Sequence, residues 1–247
     1  MSRITIETPV YTVEAALIAA ASGVDRIELC ADFAEGGVTP SAGMLAFLKE
    51  AIAIPVFVMI RPRGGEFVYT TEELDVMKRD IGVLQSLGAD GFVFGALTTD
   101  GEVDRTSCKA LVKAAGASPC TFHRAFDVAA DPKSALEAIV DLGFRRILTS
   151  GAANRAGEGL DAIARSVEQA DNRLIVMPGG GLEARDVRRL LRQCELTEVH
   201  ASCRGYRPMR STFVRSSVQL SHDPLSFTRV LTVDERCVKA FRDAIRG

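Results

Sequence analysis

The chain has no C-x-x-C pair, although it carries six cysteines, at positions 30, 108, 120, 194, 203 and 237. Thiols scattered over 247 residues do not make a disulfide framework, and they read as the reduced thiols of a cytoplasmic protein. Long apolar runs are missing too. The longest, 15–21 and 52–60, fall far short of a bilayer span, so no membrane partner is expected. Residues 1–20 lack the basic start, apolar stretch and small-residue cleavage site of a secretory leader. Nor is there a surplus of positive charge. A formal net charge of −2 gives no footprint for a phosphate backbone, which excludes nucleic acid as an expected partner. No linker or low-complexity stretch interrupts the chain, and one domain over residues 1–247 is expected.

What is present is ordinary globular material, 47% hydrophobic and 25% charged, arranged in a regular alternation. Short β-rich runs at 3–7, 26–30, 56–61, 91–95, 120–124, 146–150, 174–177 and 198–202 predict strands. Amphipathic stretches at 12–22, 41–51, 71–87, 105–115, 132–142, 159–170, 184–194 and 235–245 predict helices between and after them. Eight strand–helix units in this order predict an α/β fold, a single (β/α)₈ TIM barrel. The competing doubly wound sheet would carry a G-x-G-x-x-G turn after its first strand, and this chain has none. A long excursion rich in Ser and Arg, residues 204–233, separates the last strand from the last helix.

Strand residues alternate sides, and the outer side of a barrel sheet is covered by helices and therefore apolar. Placing Ile4, Ile6, Ile27, Leu29, Val56, Val58, Ile60, Phe122, Val199 and Ala201 outward turns Thr5, Glu7, Glu28, Cys30, Phe57, Met59, Arg61, Thr121, His123, Glu198, His200 and Ser202 inward. The repeat of glycine, turn and strand at Gly23, Gly88 and Gly143 aligns the sixth strand so that Ser150 also points in. Glu7, Glu28, Arg61, His123, His200, Ser150 and Ser202 then form a polar ring near the C-terminal ends of the strands, where barrel enzymes build their active sites. Unpaired charge is costly in such an interior, so a ring of this kind points to a ligand.

Three loops extend the ring. Arg61-Pro62-Arg63-Gly64-Gly65 joins two guanidiniums to glycines whose N–H groups can approach an anion. Gly179-Gly180-Gly181 opens a helix, the place where many barrels hold phosphate; a tight turn is the equally ordinary alternative. His123-Arg124-Ala125-Phe126-Asp127 adds a cation and a carboxylate, either for a ligand or for each other. On this pattern Glu7, Glu28, His123, His200 and Asp127 are the candidates for proton transfer, and Arg61, Arg63, Arg124, Ser150, Gly179, Gly180, Gly181 and Ser202 for binding a small anionic substrate. A divalent metal held by the two glutamates and two histidines is a variant of the same reading. His222, in a polar turn, and Cys108, Cys194 and Cys237, in helical stretches, receive no role.

Several of these stretches together resemble the CutC family of copper homeostasis proteins, over essentially the whole chain. They are Asp25-Arg26-Ile27-Glu28-Leu29-Cys30, Glu35-Gly36-Gly37, Arg61-Pro62-Arg63-Gly64-Gly65, Thr121 to Asp127, Leu148-Thr149-Ser150-Gly151, Gly179-Gly180-Gly181 and Glu198-Val199-His200. The resemblance implies a cytoplasmic (β/α)₈ barrel, a role in copper homeostasis, and Cu(I) held by Cys30 with a first-strand thiol. Here the first-strand run is Glu7-Thr8-Pro9, without that thiol. Cu(I) prefers thiolate and thioether donors, and Cys203 is the candidate stand-in, although alternation turns it away from the interior. Barrels often associate, so a homo-oligomer is among the expected assemblies.

Overall fold

Eight parallel strands and eight helices alternate along the chain in the computed structural model, which describes residues 3–213, 215, 217, 218, 223, 225 and 227–246. The barrel strands are β1 (Thr5–Val10), β2 (Arg26–Leu29), β3 (Val56–Met59), β4 (Gly91–Phe94), β5 (Cys120–Phe122), β6 (Arg146–Thr149), β7 (Ile175–Pro178) and β8 (Glu198–His200). The helices are α1 (Val13–Ala21), α2 (Ala42–Ala51), α3 (Thr71–Ser86), α4 (Arg105–Ala115), α5 (Pro132–Asp141), α6 (Leu160–Ala170), α7 (Ala184–Leu190) and α8 (Glu235–Arg246). The strands pair in the order β7-β6-β5-β4-β3-β2-β1-β8, and β7 packs beside β8 to complete the ring. This is the expected (β/α)₈ barrel.

Local chemistry explains where the helices start. Thr70 accepts from the backbone N–H of Glu73 while the Glu73 carboxylate accepts from that of Thr70, a reciprocal cap on α3. Asp131 caps α5 ahead of Pro132, whose missing N–H costs nothing in a first turn. Some boundaries differ from the sequence pattern. β1 runs on through Pro9 to Val10 because β2 pairs with it as far as Leu29. β5 and β8 stop at Phe122 and His200, where the chain turns to form the mouth. The excursion after β8 is a two-stranded antiparallel hairpin, β9 (Arg204–Pro208) and β10 (Arg229–Val233); His222, within it, lies outside the described residues.

Alternation holds around the ring. Ile6, Ile27, Leu29, Val58, Phe122 and Val199 belong to the apolar layer between sheet and helices, while Cys30, Phe57, Met59 and Val93 form a separate interior cluster. Below that cluster the interior is charged. Arg146 bonds Glu198 at 3.0 Å and the Thr121 hydroxyl at 3.1 Å, and Glu198 also pairs with Arg26. Both guanidiniums lie over the Phe57 ring, at 4.6 and 4.9 Å from its centroid. The ring needs Gly91 opposite, where a Cβ would stand 2.6 Å from its carbons. Because Glu198 is shared by two buried arginines, Glu198→Gln is expected to destabilise the fold by about 3–5 kcal/mol. Guanidinium unfolding checks this, and a loss under about 1 kcal/mol would mean that this layer is not held by charge.

Candidate functional site

The mouth of the barrel encloses a cavity of about 460 Å³, a size typical of small-molecule sites. Its floor is Glu28, His200, His123 and Arg61, and apolar side chains including Tyr11, Phe33, Phe67 and Leu231 form its walls. The floor is built by register. Glu7 stands opposite Arg26 on one neighbouring strand and His200 on the other, and its carboxylate bonds both: Arg26 Nε at 2.5 Å and His200 Nδ1 at 2.8 Å. His200 thereby turns its Nε2 toward Glu28, 3.7 Å from a carboxylate oxygen. All three side chains are buried.

Their electrostatics diverge although two of them are the same residue type. Burial opposes charge on Glu7, but Arg26 and the His200 hydrogen bond outweigh it and hold the carboxyl at about 2. Glu28 has no such partner. Burial pushes it up to about 7, with His200 pulling down and Glu7 adding to the rise. Burial also disfavours an imidazolium, yet Glu7 and Glu28 together keep His200 above the usual histidine range. Across the floor, burial and the neighbouring Arg61 hold His123 near 3, so it is neutral. Its Nδ1 accepts the Ala125 N–H, which leaves the proton on Nε2, and Nε2 has no partner. Glu28 Oε1 and Arg61 Nε are likewise unpartnered and buried. Unsatisfied groups of both kinds, donor and acceptor, line one cavity.

The remaining candidates have structural employment. Arg61 reaches the floor, but its terminal nitrogens donate to the carbonyls of Glu35, Gly37 and Gly65, clamping two loops. Arg63 is turned away to Glu73 and Glu66 and does not line the cavity. The expectation that it grips an anion fails because the α3 cap recruits it. Asp127 accepts from Arg124 Nε, the Thr149 and Ser150 hydroxyls and the backbone N–H groups of Ser150 and Ala152. So saturated a carboxylate orders the loop after β6 rather than moving protons. Ser150 is buried in this network, whereas Ser202 is exposed at the mouth. The Arg124 guanidinium lies on Gly180, where a Cβ would come within 2.7 Å of its carbon. Gly180 and Gly181 reach the cavity, while Gly179 packs beneath Leu148 and His200. Asp186 already accepts the Glu183 N–H at the start of α7, so the glycine run ends in an occupied helix start.

Sequence reasoning passed over Arg26 and Arg146, although the same alternation that placed Glu28 and Ser150 inward places them inward two and four residues earlier. Tyr11, Phe33 and Phe67 come from loops, and Arg204 from the start of the hairpin after β8, where no periodicity marks them.

Metal chemistry can be tested against these donors. Among the described residues, Glu7, Glu28 and His200 are grouped closely enough to share an ion, and His123 is outside the group. Glu7 is committed to Arg26 and His200, which leaves two hard donors beside a fixed guanidinium. Cys30 is wholly buried near the Met59 methyl, and burial, with Glu28 and Glu7 adding, pushes its thiol well up. Cys203 points into the outer layer, away from it. One reluctant thiol does not fit Cu(I), which binds thiolate.

The sign of the pH dependence follows from the raised groups. A carboxyl whose folded pKa lies above its unfolded value of 4.5 stabilises the fold fully below that value, and the contribution is lost as pH climbs through about 7. For Glu28 the loss amounts to about 3 kcal/mol, and the raised His200 changes stability in the same direction. Glu7 acts in a separate window, its contribution fading only as pH falls from 4.5 toward 2. Glu28→Gln is therefore expected to flatten most of the decline in unfolding free energy between about pH 5 and 8, read by denaturant titrations across that range. An unchanged slope would place Glu28 among ordinary carboxylates.

The CutC family model matches residues 4–205. Copper homeostasis protein cutC homolog from Homo sapiens is 50% identical over 215 residues, covering 87% of this chain and 79% of its own, and the Mus musculus protein of the same name is 48% identical over the same span. A solved structure of the copper homeostasis protein CutC from Streptococcus agalactiae superposes with a TM-score of 0.75 at 35% identity, covering 81% of this chain and 99% of its own. An aldolase at 14% identity, TM-score 0.61, covers 79% of this chain and 89% of its own and shares the fold alone. The matched range runs from the first barrel strand to just past the eighth, and this chain belongs to the CutC family.

Proposed function

We propose that this protein shares the copper-homeostasis role for which its human and mouse relatives are named, and that its barrel mouth serves that role by acid–base chemistry on a small anionic ligand. The observation that carries the reading is the Glu28–His200 pair, 3.7 Å apart on the cavity floor, with Glu28 poised at about 7. A group near neutrality both gives and takes a proton at working pH. Glu7 orients the pair: ionised throughout, it fixes Nδ1 of His200 and leaves Nε2 to face Glu28 and the ligand. His123 contributes a neutral N–H donor to a ligand oxygen, and the fixed charge of Arg61 beside it favours an anion. The aromatic walls lower the polarity around the floor and strengthen both effects. Copper enters this reading as cargo handled by the protein, in a cytoplasmic setting, and no step of the cavity chemistry runs through it.

Calorimetry with a panel of small carboxylates and phosphate esters tests the cavity. Binding of a panel member is expected to take up or release a proton near pH 7, seen by repeating the titration in buffers of different ionisation enthalpy. Glu28→Gln is expected to abolish that exchange, and His123→Phe to weaken binding about tenfold, the worth of one hydrogen bond. Binding that both variants leave untouched would rule out the floor as the site. The copper role is read separately, by anaerobic Cu(I) titration of the purified chain: uptake supports it, and no uptake removes it.

A further inference from the structure

We propose that Arg204 is the anion-binding residue of the cavity, and that the ligand is an aromatic carboxylate with its charge at the mouth and a neutral oxygen on the floor. The orientation of the ligand rests on the cavity reading above; the availability of Arg204 does not. Three guanidiniums line the cavity, and two are spent. Arg61 donates its terminal nitrogens to loop carbonyls, and Arg124 donates to Asp127, the Ser150 hydroxyl and the Ala153 carbonyl. Among the described residues, no carboxylate or carbonyl accepts from the guanidinium of Arg204, the exposed first residue of β9. That group lies instead over aromatic rings, 5.0 Å from the Phe33 centroid and 6.0 Å from that of Tyr206. A ring face orients a guanidinium without consuming its N–H groups, so the fork is pre-set and open.

The backbone fixes its place. Cys203 takes φ of +40°, a left-handed turn uncommon outside glycine, and its carbonyl accepts the Asp234 N–H at 2.7 Å. Arg204 then pairs with Val233, and the Thr12 hydroxyl, at the start of α1, donates to the Leu231 carbonyl at 3.4 Å. The base of the hairpin is thereby fastened to the barrel, with Arg204 and Leu231 both lining the cavity.

Charge decides which end of the ligand goes where. The floor already holds Glu7 and Glu28 on either side of His200, so a carboxylate placed there would meet another carboxyl. What the floor leaves free is the His123 Nε2 donor and Glu28 Oε1, and one hydroxyl can bond both. At the mouth, Asp127 is saturated, and the Glu35 carboxylate lies against Gly64, where a Cβ would overlap it. Arg204 is left open to an anion. Between the two ends the walls are aromatic: Tyr11 meets Phe33 edge to face at 5.3 Å, and Phe67 packs 4.8 Å from the His123 ring. Tyr11 also packs against the interior cluster of Cys30 and Met59, so it connects floor to mouth along a slot suited to a flat ring. A carboxylate matches one guanidinium fork. A phosphate dianion asks for more donors, and the start of α7 that could supply them is occupied by Asp186.

Calorimetry with para-hydroxyphenylpropionate, its neutral amide and phenylpropionate tests the assignment on the unaltered chain, Arg204→Gln, Arg204→Lys and His123→Phe. The unaltered chain is expected to bind the hydroxylated acid at least about tenfold more tightly than the amide, the worth of a charge-assisted hydrogen bond. Arg204→Gln is expected to erase that preference and Arg204→Lys to keep most of it. His123→Phe is expected to weaken the hydroxylated acid and to leave phenylpropionate, which has no hydroxyl, unchanged. A preference that persists in Arg204→Gln, or equal weakening of acid and amide by it, overturns the role of Arg204 and leaves the floor to its own test. Phenylpropionate weakened by His123→Phe as much as the hydroxylated acid puts the carboxylate on the floor and overturns the orientation. Binding of none of the three overturns the ligand class, and the wider panel then judges the floor alone. Salt gives a readout without substitution: sodium chloride is expected to weaken the acid and not the amide, because charge at an exposed mouth is screened. An acid insensitive to salt overturns the mouth as the place of the charge.

Discussion

Parallel pairing sets Glu7 opposite Arg26 on one side and His200 on the other, and that register governs the barrel interior. A carboxylate buried alone would take up a proton or unfold the strand; flanked by these two it stays ionised and divides its oxygens between them. Arg26 can then share Glu198 with Arg146, which carries the charged network across the interior. His200, fixed at Nδ1, has one ring nitrogen left, and the geometry directs it at Glu28. The contact that keeps Glu7 ionised leaves Glu28 without a guanidinium partner, so burial raises its carboxyl.

Two further buried charges hold the rim. Arg61 gathers carbonyls from the loops after β2 and β3, and Asp127 gathers donors from the loop after β6. Such ions cost a good deal to bury, and a hydrophobic core would be as stable without them. What they provide is loops of fixed shape above a preformed floor, so that Glu28 Oε1 and His123 Nε2 stay unpartnered instead of collapsing onto neighbouring chain. Pre-organisation of this kind is what a ligand site requires.

The strand order and the inward turn of Glu7, Glu28, His123 and His200 were legible because a side chain's face follows from its parity along the strand, and parity can be counted. Arg26 and Arg146 obey the same rule, but they sit below the mouth, where no loop motif draws the eye. How a polar group is spent cannot be counted. Arg61 and Arg63 looked alike as ligand-binding groups, and Asp127 looked like a group for proton transfer; the carbonyls that Arg61 meets, the capping glutamate that claims Arg63 and the donors that saturate Asp127 come mostly from other elements. Nor does periodicity reveal the hairpin after β8, since its strands pair only with each other and show no consistent buried face.

The cysteines bring these threads together. Parity puts Cys30 inside and Cys203 outside, so the two thiols that could have shared an ion across the gap left at Pro9 are separated by the sheet itself. The interior keeps hard donors, suited to protons, around a floor where negative charge from Glu7 and Glu28 discourages a thiolate at Cys30. On the outer side Cys203 lies in the apolar layer, and the hairpin that follows it runs past residue 205, where the family model ends. A barrel divides space into two compartments that side chains cannot cross, and here Cys30 shares the interior with the acid–base floor while Cys203 lies outside. The charged floor and the outer thiol therefore cannot contribute donors to one site.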